Sequence, residues 1–328
     1  MRNGKLFTLA AAALIFAAFG AQADDKHVIR IAHSGANDLG TDQQMYAWTF
    51  ANYINSNSNT LEAKVFPSSS LGQMRDVIEA MQLGSGASVT VGGLGEYASF
   101  NAEIGVAGLP FIWKDYDHVH RVFDGEVGKS LAADMDKIGF KVLSYGDSWG
   151  YRHVATAKKA INSPEDLKGL KIRTIPNKVF VASVNSMGAN ATPMNYGEIY
   201  TSLESGVLDG FEHTAATILT GKFYEVASHL TLTKHMLDPT FLVMSKMEWN
   251  KLSDLDKDVV QKGAKLASDV VRALAPQREN EALAALKENG VTVTEIDTSS
   301  FQKAAASVQD ELAKELGATD LLEEIRAQ

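Results

Sequence analysis

The 328-residue sequence contains no cysteine. Disulfides, thiolate nucleophiles and thiolate metal ligands are thereby excluded, and stability has to come from a buried core. Basic charge is also short, with 31 lysines and arginines against 40 acidic residues and a formal charge of −9. That balance argues against nucleic acid, which is held mainly by Lys and Arg on phosphate. No internal repeat, low-complexity segment or long linker interrupts the chain. Gly92-Gly-Leu-Gly95 lacks the third-glycine spacing of a dinucleotide fingerprint, so no nucleotide cofactor is implied. Arginine is scarcest in the middle: between Arg121 and Arg272 there are fifteen lysines but only Arg152 and Arg173. Lysine supplies the generic surface charge there, which leaves the two arginines for another task.

What is present begins with Arg2 and Lys5, an apolar run from Leu6 to Phe19, and Ala21-Gln-Ala23 in small-x-small form. This is the pattern of a cleavable secretory signal, residues 1–23, with an apolar run too short to span a bilayer. With no cysteine after the small residues, a lipid anchor is excluded, and the expected location is the periplasm. Removal of Arg2 and Lys5 leaves 305 residues with 29 basic and 40 acidic groups, a formal −11. Such a length supports two lobes with separate cores.

The exported part reads as alternating strands and helices. His27–His33, Leu61–Phe66 and Ala87–Val91 alternate as strands, with helical patterns around Met45–Tyr53 and Gln73–Leu83 between them. This β-α-β-α-β rhythm predicts an open α/β lobe. Ser163 is placed to cap a helix opened by Pro164 and ended by Gly169, after which Leu170–Ile175 alternates as a strand. Arg173 then lies near a strand end, where α/β proteins open their ligand clefts, and its planar guanidinium suits a two-pronged hold on a carboxylate. Val207–Phe211 is a further strand, delivering Glu212 and His213 toward the same cleft. Ser253 opens a long helix with an apolar stripe at Val260, Ala264, Ala267, Val271 and Leu274, which Pro276 is expected to interrupt and kink.

Pro164-Glu-Asp-Leu-Lys-Gly-Leu-Lys-Ile-Arg173 and Gly197-Glu-Ile-Tyr-Thr-Ser-Leu-Glu-Ser-Gly-Val-Leu-Asp-Gly210, in that order and spacing, resemble the solute receptors of tripartite ATP-independent periplasmic (TRAP) transporters. The resemblance runs from about Val28 to the C-terminus. It implies a two-lobed α/β periplasmic binding-protein fold, with crossover strands as a hinge and a long C-terminal helix spanning both lobes. The lobes divide as 24–148 with 239–275, and 149–238 with 276–328. The resemblance also implies that Arg173 clamps the carboxylate of an organic acid, that Arg152 assists, and that an aromatic at Tyr196 lines the ligand. His213 falls where the family frequently has Asn, a departure that bears on which acid is bound. Trp149, His33 at the first strand's end and Gln73 at a helix start complete the ligand-binding candidates. The implied partners are an organic acid and the small and large membrane-embedded transporter subunits, with the receptor itself monomeric.

Competing chemistries find little support. Gly146-Asp-Ser-Trp-Gly150 has the Gly-x-Ser-x-Gly form of a hydrolase, but a nucleophile elbow turns from strand into helix, and Tyr151–Thr156 reads as another strand. His118 and His120 are two apart on a helix and do not face one another as metal ligands; they read as solvated or capping residues. Leu109-Pro-Phe-Ile-Trp113 reads as inter-lobe packing. An enzyme acting on carboxylates would need a paired acid and base in the cleft, for which only Glu212 beside His213 offers itself. A receptor that presents its ligand to a sensor kinase would have the same pocket. Among acids, His213 with Trp149, Tyr196 and many neutral polar residues favours a hydroxylated sugar acid such as a uronate, with C4-dicarboxylates, 2-oxo acids and aromatic acids as alternatives.

Overall fold

The computed structural model describes residues 26–328; the expected secretory signal lies outside the described residues. Eleven described strands form two sheets: β1 (His27–Ala32), β2 (Leu61–Phe66), β3 (Val89–Gly93), β4 (Phe140–Gly146), β5 (Arg152–Thr156), β6 (Lys171–Thr174), β7 (Asn190–Pro193), β8 (Gly210–Thr214), β9 (His229–Met236), β10 (Thr240–Ser245) and β11 (Thr292–Thr294). The first sheet has the order β2-β1-β3-β10-β4 and the second β11-β9-β5-β8-β6-β7. In the first, β1 runs parallel to β2 and β3 while β10 is antiparallel to both its neighbours. In the second, β8 is parallel to β6 and antiparallel to β5.

The chain passes from the first sheet to the second between β4 and β5 and returns between β9 and β10. Gly150 sits at the first passage with a φ of +109°, a conformation that glycine adopts without Cβ strain. Ser148 donates to the Gly150 carbonyl at 3.2 Å, and β5 follows two residues later, so the Gly-x-Ser-x-Gly segment is a crossover and no nucleophile elbow forms.

Local syntax explains several elements. Ser163 and Asp166 form a reciprocal capping box on the short helix Pro164–Leu167. The turn after it aims β6 into the second sheet, where Arg173 pairs in register with Thr192 of β7 and Phe211 of β8.

The helix Asp254–Glu288 joins the two cores. Its Val260, Ala264, Ala267 and Val271 pack with Ile29, Phe50 and Leu242 of the first lobe. Ala275, Ala282 and Leu286 pack with Trp149, Phe211 and Leu230 of the second. Pro276 lies inside this helix without breaking it. The expected interruption is absent because the residues on both sides are held by packing, which outweighs one missing backbone hydrogen bond.

The C-terminus differs from the lobe division read from sequence. Leu322 and Ile325 of the final helix, Thr319–Ala327, are buried with Val119, Leu131 and Met135 of the first lobe. His118, expected to be solvated or capping, is fully buried there, and its Nε2 lies 2.7 Å from the Ile325 carbonyl. An apolar face on this helix does not by itself determine which lobe covers it. His120 sits on Asp147 at 2.8 Å. The Leu109–Trp113 segment splits its packing, with Leu109, Ile112 and Trp113 in the first lobe's core and Phe111 against the second's.

Candidate functional site

Strand ends from both sheets line a cleft of about 1100 Å³, counted out to its mouth. Parallel strands reach it by their C-terminal ends and antiparallel strands by their N-terminal ends. Ser34 follows β1, Gly93 ends β3, and Thr240 starts β10; from the other side come Arg152 at the start of β5, Arg173 in β6, and His213 and Thr214 at the end of β8.

Arg173 is 2% exposed. Its Nε donates to the Met194 carbonyl at 2.8 Å, which fixes the plane of the guanidinium, while Nη1 is buried with no partner. Burial lowers its pKa to about 10, with Glu212 opposing and Arg152 adding to the fall, so the group stays cationic at neutral pH. An unpartnered, desolvated guanidinium nitrogen on a cleft-lining residue is chemically suited to an anionic partner.

Arg152, anticipated as the assisting donor, also lines the cleft and is engaged by two carboxylates. Its Nε and Nη2 hold the Glu212 carboxylate at 2.5 and 2.9 Å, and Nη1 lies 3.4 Å from Asp238. Glu212 also accepts from the Thr174 hydroxyl at 2.8 Å and lies 3.4 Å from His235 Nε2. Although burial opposes ionisation, Arg152 and His235 hold the Glu212 carboxyl well below its ordinary range. The net charge of this buried network is thus largely cancelled before a ligand arrives. Glu212 and His213 do not form an acid–base pair, because successive strand residues face opposite sides.

His213 turns into the cleft. Its Nδ1 accepts the Thr214 backbone N–H at 2.9 Å, and burial with the neighbouring Arg152 pushes its pKa well down. The neutral ring therefore carries its proton on Nε2, where it is a donor. The Tyr196 ring stands edge-on to it at 5.9 Å and also lines the cleft, as does Gln73.

Two candidates lie elsewhere. Trp149 is fully buried in the second lobe's core; its indole N–H donates to the Val271 carbonyl at 3.1 Å and Arg278 stacks on its face. His33 is fully buried behind the cleft wall, with Nε2 2.8 Å from Gln44 Oε1, and burial lowers its pKa to about 4. It supports Ser34 and Gly35, which do line the cleft. In both cases the side chain found a buried polar partner that sequence spacing could not reveal.

Sequence reasoning missed Asp42, Glu96, Asn195, Thr217 and Asp238, all in the lining. A signal was present for two of them in Gly92-Gly93. A Cβ at Gly92 would fall 1.8 Å from Glu96 Oε2, and one at Gly93 would fall 2.3 Å from Asp238 Oδ2. The paired glycines make room for two carboxyl groups. Among the described residues, no group of three or more His, Asp or Glu is placed to hold a metal ion.

The family model described as bacterial extracellular solute-binding protein, family 7, matches residues 34–316. The chain belongs to this family. It is 31% identical over 311 residues to the 2,3-diketo-L-gulonate-binding periplasmic protein of Escherichia coli, covering 94% of this chain and 89% of that one. A TRAP periplasmic solute-binding protein from Sulfitobacter, solved with β-D-galacturonate, superposes with a TM-score of 0.87 at 31% identity, covering 92% of this chain and all of the other. A TRAP solute-binding protein from Sulfurospirillum deleyianum with bound succinate gives 0.86 at 30%, over 92% and 98%. As a family 7 receptor, the chain shares its fold and cleft with proteins that bind small organic acids and belong to TRAP systems.

Proposed function

We propose that the mature chain is an exported, monomeric, non-enzymatic TRAP receptor. It captures a sugar acid by its carboxylate and passes it to the membrane-embedded small and large transporter subunits. The observation that carries the reading is Arg173 Nη1, buried, charged and unpartnered in a cleft between two lobes. His213 Nε2 offers a second, neutral donor beside it. The remaining lining supplies hydroxyl and amide groups from Ser34, Thr41, Gln43, Gln73, Asn195 and Tyr196. These suit a hydroxylated carbon chain, each ligand hydroxyl needing both a donor and an acceptor. The sugar acids carried by the diketogulonate and galacturonate relatives support the same class. A C4-dicarboxylate is less well matched, since Arg152 is already engaged by Glu212 and Asp238. Closure is by bending at the passages near Gly150 and Asp238.

The test is calorimetric titration of the mature protein with D-galacturonate, D-glucuronate, 2,3-diketo-L-gulonate, succinate and pyruvate. A sugar acid should bind at least about a hundredfold tighter than succinate or pyruvate, a gap of roughly 2.7 kcal/mol. Preference for succinate, or no binding of any acid, would overturn the reading.

A further inference from the structure

Glu96 lies in the short helix Leu94–Tyr97 that follows β3 and lines the cleft. Its Oε2 is buried against the Gly92 Cα and has no hydrogen-bond partner. Asp238 is better provided for: it accepts the Leu94 N–H at 2.9 Å and lies beside Arg152. A buried, unpartnered carboxylate oxygen is unfavourable, whereas a carboxylic acid offers a donor and an acceptor to whatever fills the cleft.

We propose that Glu96 is a specificity-determining residue that acts as a neutral carboxylic acid, hydrogen-bonding a ligand hydroxyl and excluding acids that carry a second carboxylate. The inference rests on the sugar-acid reading and narrows it to monocarboxylates. The charges around the residue point the same way. Facing it are Asp238 from the passage before β10, Arg173 of β6, Arg152 of β5 and the Ser34 hydroxyl after β1, with Asp42 across the same cleft. One ligand carboxylate satisfies Arg173. A second would meet Glu96, Asp42 and Asp238, with Arg152 already neutralised. Burial first, then Asp238, raises the Glu96 pKa to about 8. A proton there is retained at neutral pH.

The cleft's other titrations leave a clean window. Asp42 and Asp238 titrate at about 6 and Arg173 at about 10, so between pH 7 and 9 Glu96 changes state without them. The experiment titrates the mature protein with D-galacturonate, D-galactonate and galactarate; galactarate is galactonate with a second carboxylate in place of its terminal hydroxymethyl group. Galactonate or galacturonate should bind at least about thirtyfold tighter than galactarate at pH 7. Their affinity should hold to about pH 8 and then fall up to about tenfold per pH unit. Glu96→Gln, neutral at every pH and of similar shape, should stay within about fivefold of wild type at pH 7 and lose the fall above pH 8. Galactarate binding within threefold of galactonate, or a slope unchanged in Glu96→Gln, would overturn the role of Glu96 while leaving the sugar-acid reading intact. Failure of these three acids and of D-glucuronate and 2,3-diketo-L-gulonate to bind would overturn both.

Discussion

Replacing Arg173 by alanine isolates the carboxylate hold. In the free protein the guanidinium makes one hydrogen bond, to the Met194 carbonyl, and otherwise sits desolvated. Removing it therefore takes little from the apo fold, and the melting temperature should stay within a few degrees of wild type. In the proposed complex the same group would make two charge-assisted hydrogen bonds, each contributing about 1.5–3 kcal/mol. Its loss also strands the ligand carboxylate in a dry site beside Glu212, a situation that costs about 3–5 kcal/mol when one partner of a buried pair is removed. Affinity for the acid should accordingly fall by two to three and a half orders of magnitude, taking about 1.4 kcal/mol per decade. Arg173→Lys should recover only part, because an ammonium keeps the charge but cannot also span to Met194 and present a fork. The assay is isothermal titration of each variant, with an uncharged methyl ester of the same acid as a control that should bind wild type poorly. Near-wild-type affinity of Arg173→Ala for the acid would refute the clamp.

His213→Ala should weaken binding by about 0.5–1.5 kcal/mol, the net worth of a neutral hydrogen bond, and shift preference among sugar-acid epimers; unchanged affinity and ranking in calorimetry would make the histidine structural. Glu212→Gln removes the closer of Arg152's two counter-charges, so the apo melting temperature should drop by roughly 6 °C or more, from about 3 kcal/mol at about 2 °C per kcal/mol, and an unchanged melt would show the network to be dispensable. Apo stability should fall as pH rises from about 7 to 8, because Glu96 holds its proton up to about pH 8 while the unfolded chain has lost it, and the buried His33 and His213 are neutral in both states over that range. Thermal melts that rise steadily from pH 6.5 to 8.5 would contradict this assignment.

Elements carried by local rules were legible: the helix cap at Ser163, the strand that carries Arg173 and the apolar stripe of the long helix. Arg173 itself stood out by charge economy, since lysine served elsewhere. What could not be read were features made by partners distant in sequence. Arg152 finds Glu212 sixty residues on, Trp149 finds the Val271 carbonyl, and the last helix finds the opposite lobe through His118. Glu96 escaped notice because a single acid carries no periodicity; only the space left above Gly92 gives it meaning. Strand bounds slipped by a few residues at β3 and β8, where glycines at the ends weaken alternation.

The helix Asp254–Glu288 also acts as a strain gauge. Thirty-five residues at about 1.5 Å each give a rod of about 50 Å, anchored at either end in a different core. Any change in the angle between the lobes has to be taken up along this rod, and its softest joint is Pro276, where the Arg272 carbonyl lacks its helical N–H partner. A bend of about ten degrees there swings the twelve-residue far arm by about 3 Å. Spectroscopic labels at Leu255 and Glu288, both on the exposed side, would register that bend directly. They would turn ligand capture into a distance read far from the cleft, without any probe near the ligand.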